Sequence, residues 1–215
     1  RSDSVHGATS DMIISILSRS EPRHVILNQL ALITGHSLAN RTEDGRYVVL
    51  PLVQQYLVRC LSPNEHQTWR RQQVRYYLDH FLQPYIVHID FICGTSSVLT
   101  DAIEVDNLDL LLEWAQDNVP AIDYLHFTDG FSSLLYLVGF VKRAIEVAAA
   151  GLNVAHSLED QEKQYDFYNK LTLYYTWSDR FVQAEAALRA AIALSAQVPT
   201  YRPDNVLDYH GAYLM

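Results

Sequence analysis

The chain is poor in cysteine, and its positive charge is unevenly distributed. Among 215 residues there are two cysteines and two methionines, and no lysine precedes Lys142. Residues 86–130 contain nine Asp and Glu side chains but no Lys or Arg, and this segment accounts for the whole net charge of −9. Two cysteines exclude a disulfide framework and fit a reducing compartment. The shortage of basic residues argues against a nucleic-acid partner, because phosphate binding needs dense Lys and Arg.

Features of membrane and secreted proteins are also missing. No apolar run reaches ~18 residues without a polar interruption, so the sequence predicts no transmembrane helix and no membrane partner. The chain does not open with the basic and apolar segments of a signal peptide. Together with the cysteine count, these absences predict a cytoplasmic protein. Because the chain begins with Arg1 rather than Met, we expect it to be a piece of something longer.

The first 50 residues combine two helix signals with a hairpin signal. Residues 1–10 are small and polar, as in a linker, and Ser10 or Asp11 can cap a short helix with apolar positions at 12, 13, 16 and 17. Glu21-Pro22 can open a second helix, since proline is favoured in a first turn. Asp44-Gly45 then predicts a β-hairpin turn.

A third helix begins at Pro51 and completes the first predicted domain. Its apolar face carries Leu52, Val53, Tyr56, Leu57 and Cys60, and we expect Cys60 to be a buried small hydrophobe. Two helices, a hairpin and a third helix within about 60 residues predict a winged-helix domain at residues 1–62, with the hairpin as its wing.

Residues 63–215 have helical periodicity throughout, with a weak internal repeat. Segments 139–155 and 179–195 are similar at an offset of 40, with small residues at matching helical positions. The aromatic segment 164–177 lies between them and can supply a partner helix. Helix pairs of this kind predict an α-helical solenoid, in which each unit buries its face on the next. Upstream of the repeat, shorter apolar segments lie around 124–127 and 131–138.

Two stretches resemble one family. Asp44-Gly45-Arg46-Tyr47, followed by Leu52-Val53-Gln54-Gln55-Tyr56, is similar to the winged-helix domain of STAND-class NTPases, which include the NB-ARC proteins. Glu104-Val105-Asp106-Asn107-Leu108, followed by Leu112-Glu113-Trp114-Ala115, resembles the helix that often begins the TPR-like arm of bacterial members. The resemblance spans roughly residues 11–197. It implies a mostly α fold, with a winged helix (three helices plus the hairpin wing) at 1–62 and a TPR-like repeat domain at 63–215.

The resemblance implies a non-catalytic regulatory and sensor segment of a STAND-type signalling NTPase. The chain lacks the Gly-x-x-x-x-Gly-Lys-Ser/Thr motif of a phosphate-binding loop. Leu50 stands where the family has an ADP-contacting histidine, and an aliphatic side chain cannot donate that hydrogen bond. We therefore expect no cofactor in this segment and ADP or ATP in the parent chain. The implied partners are an upstream nucleotide-binding domain on the winged helix and a protein or peptide on the repeats, which together control activation and oligomerisation of the parent protein.

Five residues are candidates for partner binding. Asp106, Asp109 and Glu113 lie near one face of their predicted helix and can dock a basic partner or latch onto the ATPase core. The alternative is a solvated face opposite the Leu and Trp stripe. Tyr168 and Tyr175 belong to an aromatic cluster that either fills the solenoid core or presents some rings to a peptide.

Other residue patterns point to weaker hypotheses. Arg23, His24, Asn28 and Gln29 could face a DNA groove, with Arg41 and Arg46 on the wing, but phosphate-binding residues are few. This leaves a DNA-binding transcriptional regulator with a TPR-like sensor as an alternative function, and a stand-alone TPR-like scaffold as another. The nine histidines and two cysteines show no zinc-ligand spacing, so no metal site is predicted. No catalytic motif is present, and no enzymatic activity is predicted for the segment.

Overall fold

The computed structural model describes residues 7–18, 21–87 and 102–195, which form ten α-helices and one small sheet. This part of the chain is mostly helical, as predicted. The chain divides into two compact units, Arg1–Phe81 with Ile103–Val119 and Leu82–Ala102 with Pro120–Met215. The sequence-predicted domain boundary at residue 62 lies within the first unit. None of the helices in the three described ranges combines the length and the hydropathy of a membrane span.

The first unit contains five helices and a three-stranded antiparallel sheet. The helices are α1 (Ser10–Leu17), α2 (Arg23–Gly35), α3 (Pro51–Cys60), α4 (Pro63–Tyr76) and α6 (Val105–Asn118). The strands are β1 (Ala8–Thr9), β2 (Ala39–Arg41) and β3 (Arg46–Val49), in the spatial order β1-β3-β2. A π-helical turn, Tyr77–Phe81, follows α4, and a 3₁₀ turn, Ala102–Glu104, precedes α6.

The predicted hairpin is confirmed, and the predicted linker contributes a third strand. Gly45 has a φ of +82°, and the amide of Thr42 donates to the carbonyl of Arg46 at 2.8 Å. Ala8 lies opposite Tyr47 in the sheet, so Ala8–Thr9 is a strand, although the sequence predicted a linker over residues 1–10. Two residues are too few to give a strand signal in the sequence. Ala8 and Thr9 are extended because they pair with β3, not because of their local propensity.

Both predicted N-terminal helices are confirmed, and they share one small core. Ile14, Ile26 and Leu30 are buried together, with Tyr47 packed against them. The cap of α1 is Thr9, whose hydroxyl accepts from the amide of Met12 at 3.2 Å, so the cap precedes the predicted position.

The second unit contains α5 (Gln83–Val87), α7 (Ala121–Leu137), α8 (Val141–Ser157), α9 (Gln161–Trp177) and α10 (Phe181–Ser195). The four long helices begin at intervals of 20 residues, and each packs on the next. The 40-residue offset in the sequence is therefore the spacing of α8 and α10, with the aromatic α9 between them. The close approach of these helices is visible at Gly151, where an added Cβ would lie 2.3 Å from Cζ of Phe167.

The three connections between these helices have the same geometry. Gly139, Glu159 and Asp179 each have a positive φ, between +55° and +90°. After each of them, an amide donates to a carbonyl five residues earlier, as Asp160 does to Ala155 at 3.0 Å. This is the Schellman arrangement that ends a helix through a left-handed residue. It gives the unit its regular period.

Helix α7 is continuous across the two short apolar segments that the sequence predicted. Gly130 lies at its middle, where an added Cβ would come within 2.8 Å of Cβ of Leu82. Glycine weakens a helix by about 1 kcal/mol relative to alanine, but here it permits the backbone to approach α5. One helix therefore contains both apolar segments.

Candidate functional site

The two stretches that carry the family resemblance meet in the first unit. Arg46 begins β3, directly after the hairpin turn, and Glu104 lies at the start of α6. Nη2 of Arg46 lies 2.5 Å from Oε1 of Glu104, and both side chains are about nine-tenths buried. Nδ2 of Asn107 donates to Oε2 of Glu104 at 3.0 Å. The hairpin motif and the arm-helix motif are thus joined by a buried ion pair and its hydrogen bonds.

Tyr77 and Gly7 complete this cluster. The Tyr77 hydroxyl donates to Oε2 of Glu104 at 2.6 Å, and Nη2 of Arg46 donates to the carbonyl of Gly7 at 2.7 Å. Burial raises the pKa of Tyr77, and the negative charge of Glu104 raises it further. The phenol therefore stays protonated and remains a donor. The cluster links Gly7, just before β1, to β3, to the π-helical turn after α4 and to the start of α6.

A groove of about 610 Å³ lies beside the buried cluster. Its floor includes the buried Met12, Tyr77 and Leu111. Strand β3, α3, α4 and α6 supply its walls, and the polar lining includes Arg70 and Asn107. The volume lies within the usual range for ligand sites, and the lining is predominantly apolar.

Helix α3 forms one rim of the groove and leaves its apolar residues uncovered. Leu52 is 79% exposed, Tyr56 67% and Leu57 48%, and no residue of α3 is buried. Cys60 is also exposed, so the expectation that it is buried was wrong. The amphipathic pattern placed these residues on one face correctly, but no described element of the first unit covers that face. Leu50, at the position of the family's histidine, is exposed just before α3.

The acidic side chains at the start of α6 and along it differ in burial. Glu104 is buried in the ion pair, whereas Asp106 and Glu113 are exposed and Asp109 is half-buried. These last three lie on α6, opposite the buried Leu108, Leu111 and Ala115. All three take part in interactions within the protein. They remain candidates for partner binding.

Tyr168 and Tyr175 lie on α9 of the second unit, and both are half-buried. Tyr168 packs beside Tyr165 and Ala191, and its hydroxyl lies 3.2 Å from Nε2 of His156. Phe167 and Tyr174 are the fully buried aromatic residues of this helix, and Tyr174 stacks on Tyr136 with ring centroids 4.7 Å apart. Much of the aromatic cluster is therefore core, and Tyr168 and Tyr175 show partial exposure.

A second buried ion cluster was not predicted from the sequence. Asp129 on α7 is 1% exposed and binds Nζ of Lys163 at 2.7 Å and Nζ of Lys170. Lys170 also donates to the Ser133 hydroxyl at 2.7 Å. Burial opposes ionisation of Asp129, but the charges of Lys170 and Lys163 hold its pKa below the ordinary value. A possible signal was the pair of lysines two turns apart on one helix.

The remaining sequence candidates are scattered. Arg23, His24, Asn28 and Gln29 are exposed on α2, whereas Arg46 is buried and cannot serve as a wing contact. Among residues 7–18, 21–87 and 102–195, no group of three or more His, Cys, Asp or Glu side chains could hold a metal ion. His88, Cys93 and Asp101 lie outside the described residues.

Comparisons of this chain with protein-family models, curated proteins and solved structures found no match.

Proposed function

We propose that this chain is the regulatory and sensor segment of a STAND-type signalling NTPase. The observation that carries the proposal is the buried contact between Arg46 and Glu104. It joins the two motif stretches on which the family resemblance rests. The contact brings these two stretches, which are far apart in the chain, together within the first unit.

Topology supports a winged-helix assignment for the first part of the chain. A strand, two helices and a hairpin follow one another, and the first strand pairs beside β3 to give the order β1-β3-β2. The hairpin acts as the wing. The regular helices α7 to α10 support the TPR-like assignment, with a repeat of 40 residues per helix pair.

The exposed apolar face of α3 supports docking of the first unit on an upstream nucleotide-binding domain. Leu52 and Tyr56 are the most exposed large apolar residues of that face. Apolar side chains concentrated on one helix face mark an interaction surface. In this proposal ADP or ATP binds in the parent chain. The repeats bind a protein or peptide partner. That binding controls activation and oligomerisation of the cytoplasmic parent protein through a rigid-body change.

The first test of this proposal is the gene sequence upstream of Arg1. It must encode a phosphate-binding loop, and its absence would overturn the proposal. The second test is association of the purified chain with the upstream region. The double substitution Leu52→Asp and Tyr56→Asp should weaken this association at least tenfold. Val182→Asp serves as the matched control, because Val182 is equally exposed but lies on α10.

A DNA-binding regulator is a second candidate function because Arg23, Asn28 and Gln29 are exposed along α2. Such a regulator would place α2 in the major groove. It requires salt-dependent binding to duplex DNA. The absence of a mobility shift at low salt, with the chain intact, would eliminate this function.

A further inference from the structure

The groove in the first unit has an unusual charge for this protein. Its lining residues include no Asp or Glu, although the chain contains 25 of them, and they include one cation, Arg70. Arg70 lies on α4 and is half-buried. Burial lowers the pKa of its guanidinium group. The described residues provide no carboxylate within ion-pair distance of it.

A half-buried cation without a counter-charge is unfavourable. Removing a charge from water costs free energy unless an opposite charge or hydrogen bonds replace the lost solvation. A carboxylate from a bound partner would replace the solvation that the guanidinium has lost. Guanidinium is also the cation best suited to bind a carboxylate with two parallel hydrogen bonds.

The rest of the groove indicates the shape of the partner. Leu57 and Leu61 on the α3 side and Leu110 on α6 form apolar rims, and all three are exposed. Apolar ridges contributed by two helices accept a third helix between them. Leu52 and Tyr56 are also exposed on α3, but they do not line the groove.

We propose that this groove binds an acidic amphipathic helix of a partner protein. Apolar side chains at helical spacing fill the space between α3 and α6, and a carboxylate on the flank of the helix pairs with Arg70. This is the helix-in-groove mode of peptide recognition. The inference does not rest on the proposed function, because binding of such a helix requires neither an upstream ATPase nor a nucleotide.

The test uses the full chain and two designed, fluorescently labelled 18-residue peptides. Both carry leucine at positions spaced by three and four, and one has Glu on its flanks where the other has Lys. Fluorescence anisotropy should show micromolar binding of the acidic peptide and at least tenfold weaker binding of the basic one. Arg70→Glu should lower the affinity for the acidic peptide at least tenfold and raise the affinity for the basic one.

Arg75→Glu is the matched control. It makes the same charge change on the same helix, but Arg75 is exposed and does not line the groove. Leu57→Asp should lower the affinity for both peptides. Thermal unfolding will verify that each variant is folded. Equal effects of Arg70→Glu and Arg75→Glu would overturn the proposal, as would no binding of the acidic peptide at millimolar concentration.

Other occupants would give different results. A dimer in sedimentation experiments that Leu57→Asp dissociates would assign the groove to a second copy of this chain. Binding of dodecanoate that depends on Arg70, with no binding of the peptide, would assign it to a small amphipathic carboxylate. Either result would overturn the proposal of a helical partner.

Discussion

Two buried carboxylates, Glu104 in the first unit and Asp129 in the second, are neutralised in different ways. Glu104 receives one cation, Arg46, and two neutral donors, Tyr77 and Asn107. Asp129 receives two cations, Lys163 and Lys170, both from the same helix. The first cluster links elements that are short and irregular, whereas the second lies within regularly packed helices.

This difference indicates separate roles for the two clusters. In the first unit no element is long enough to be stable alone, so the ion pair fixes how strand, π-helical turn and helix meet. In the second unit, the packing of α7 on α8 and of α8 on α9 already fixes the arrangement. There the two lysines and Asp129 add a polar link between α7 and α9, and Asp166 adds a second carboxylate 3.4 Å from Lys163.

The largest effect is expected from Asp129→Asn, which leaves two partly buried lysines without their main counter-charge. Removing one partner of a buried ion cluster costs about 3–5 kcal/mol. Urea unfolding of the full chain, followed by circular dichroism, measures this loss. Asp123→Asn is the control, because Asp123 is half-buried in the first turn of α7 and its loss should cost less than about 1 kcal/mol. Equal losses for the two variants would show that the cluster contributes little.

The sequence predicted the helices and the hairpin but neither ion cluster. Periodicity, the Pro at the start of α3 and the Asp44-Gly45 turn are local signals, and the structure bears them out. The burial of Glu104 depends on Arg46, which is distant in the sequence. In the sequence, the acidic segment that contains Glu104 therefore resembled a solvated helix face. Similarly, amphipathicity predicted the apolar face of α3 but could not indicate that the unit leaves it uncovered.

A smaller loss is expected from Glu104→Gln in the first unit. Glutamine keeps the shape and can still accept from Tyr77, but it removes the charge that pairs with Arg46. We expect a loss of about 2–3 kcal/mol, because hydrogen bonds to a charged group contribute more than neutral ones. Replacing both partners, as Arg46→Met with Glu104→Leu, should restore part of the stability. A double variant no more stable than Glu104→Gln would contradict the view that the unpaired charge causes the loss.

The pH dependence gives a third test of the comparison. The pKa of Asp129 is lowered in the folded state, so its ionised form stabilises the fold above the unfolded value of about 4. This contribution is lost as the pH falls through the lower folded pKa. The stability gap between the wild type and Asp129→Asn should therefore be constant above about pH 5 and shrink as the pH falls towards 2.

Asp166 acts in the opposite direction. Burial raises its pKa, which Lys163 offsets in part, so protonation of Asp166 favours the folded state and its contribution falls as the pH rises through the folded value. Asp166→Asn should therefore make the acid side of the stability profile steeper. Urea titrations at several pH values measure both effects. A gap for Asp129→Asn that stays constant down to pH 2 would contradict the lowered pKa.

The smallest effects concern the helix connections of the second unit, where three positions share one backbone geometry but carry different residues. Glu159 and Asp179 occupy the left-handed region at φ +55° and +58°, where a Cβ costs roughly 1 kcal/mol or more, whereas Gly139 occupies it without that cost. Gly139→Ala should destabilise the protein by about 1 kcal/mol, although no atom lies within 4 Å of the added Cβ. Glu159→Gly should stabilise the protein by up to about 1 kcal/mol.

Gly35→Ala is the matched control, since Gly35 is helical and its Cβ position is equally open. There the same substitution should stabilise the protein by about 0.4–1 kcal/mol. If Gly139→Ala and Gly35→Ala shifted the melting temperature in the same direction, the left-handed backbone at residue 139 would not carry the expected cost.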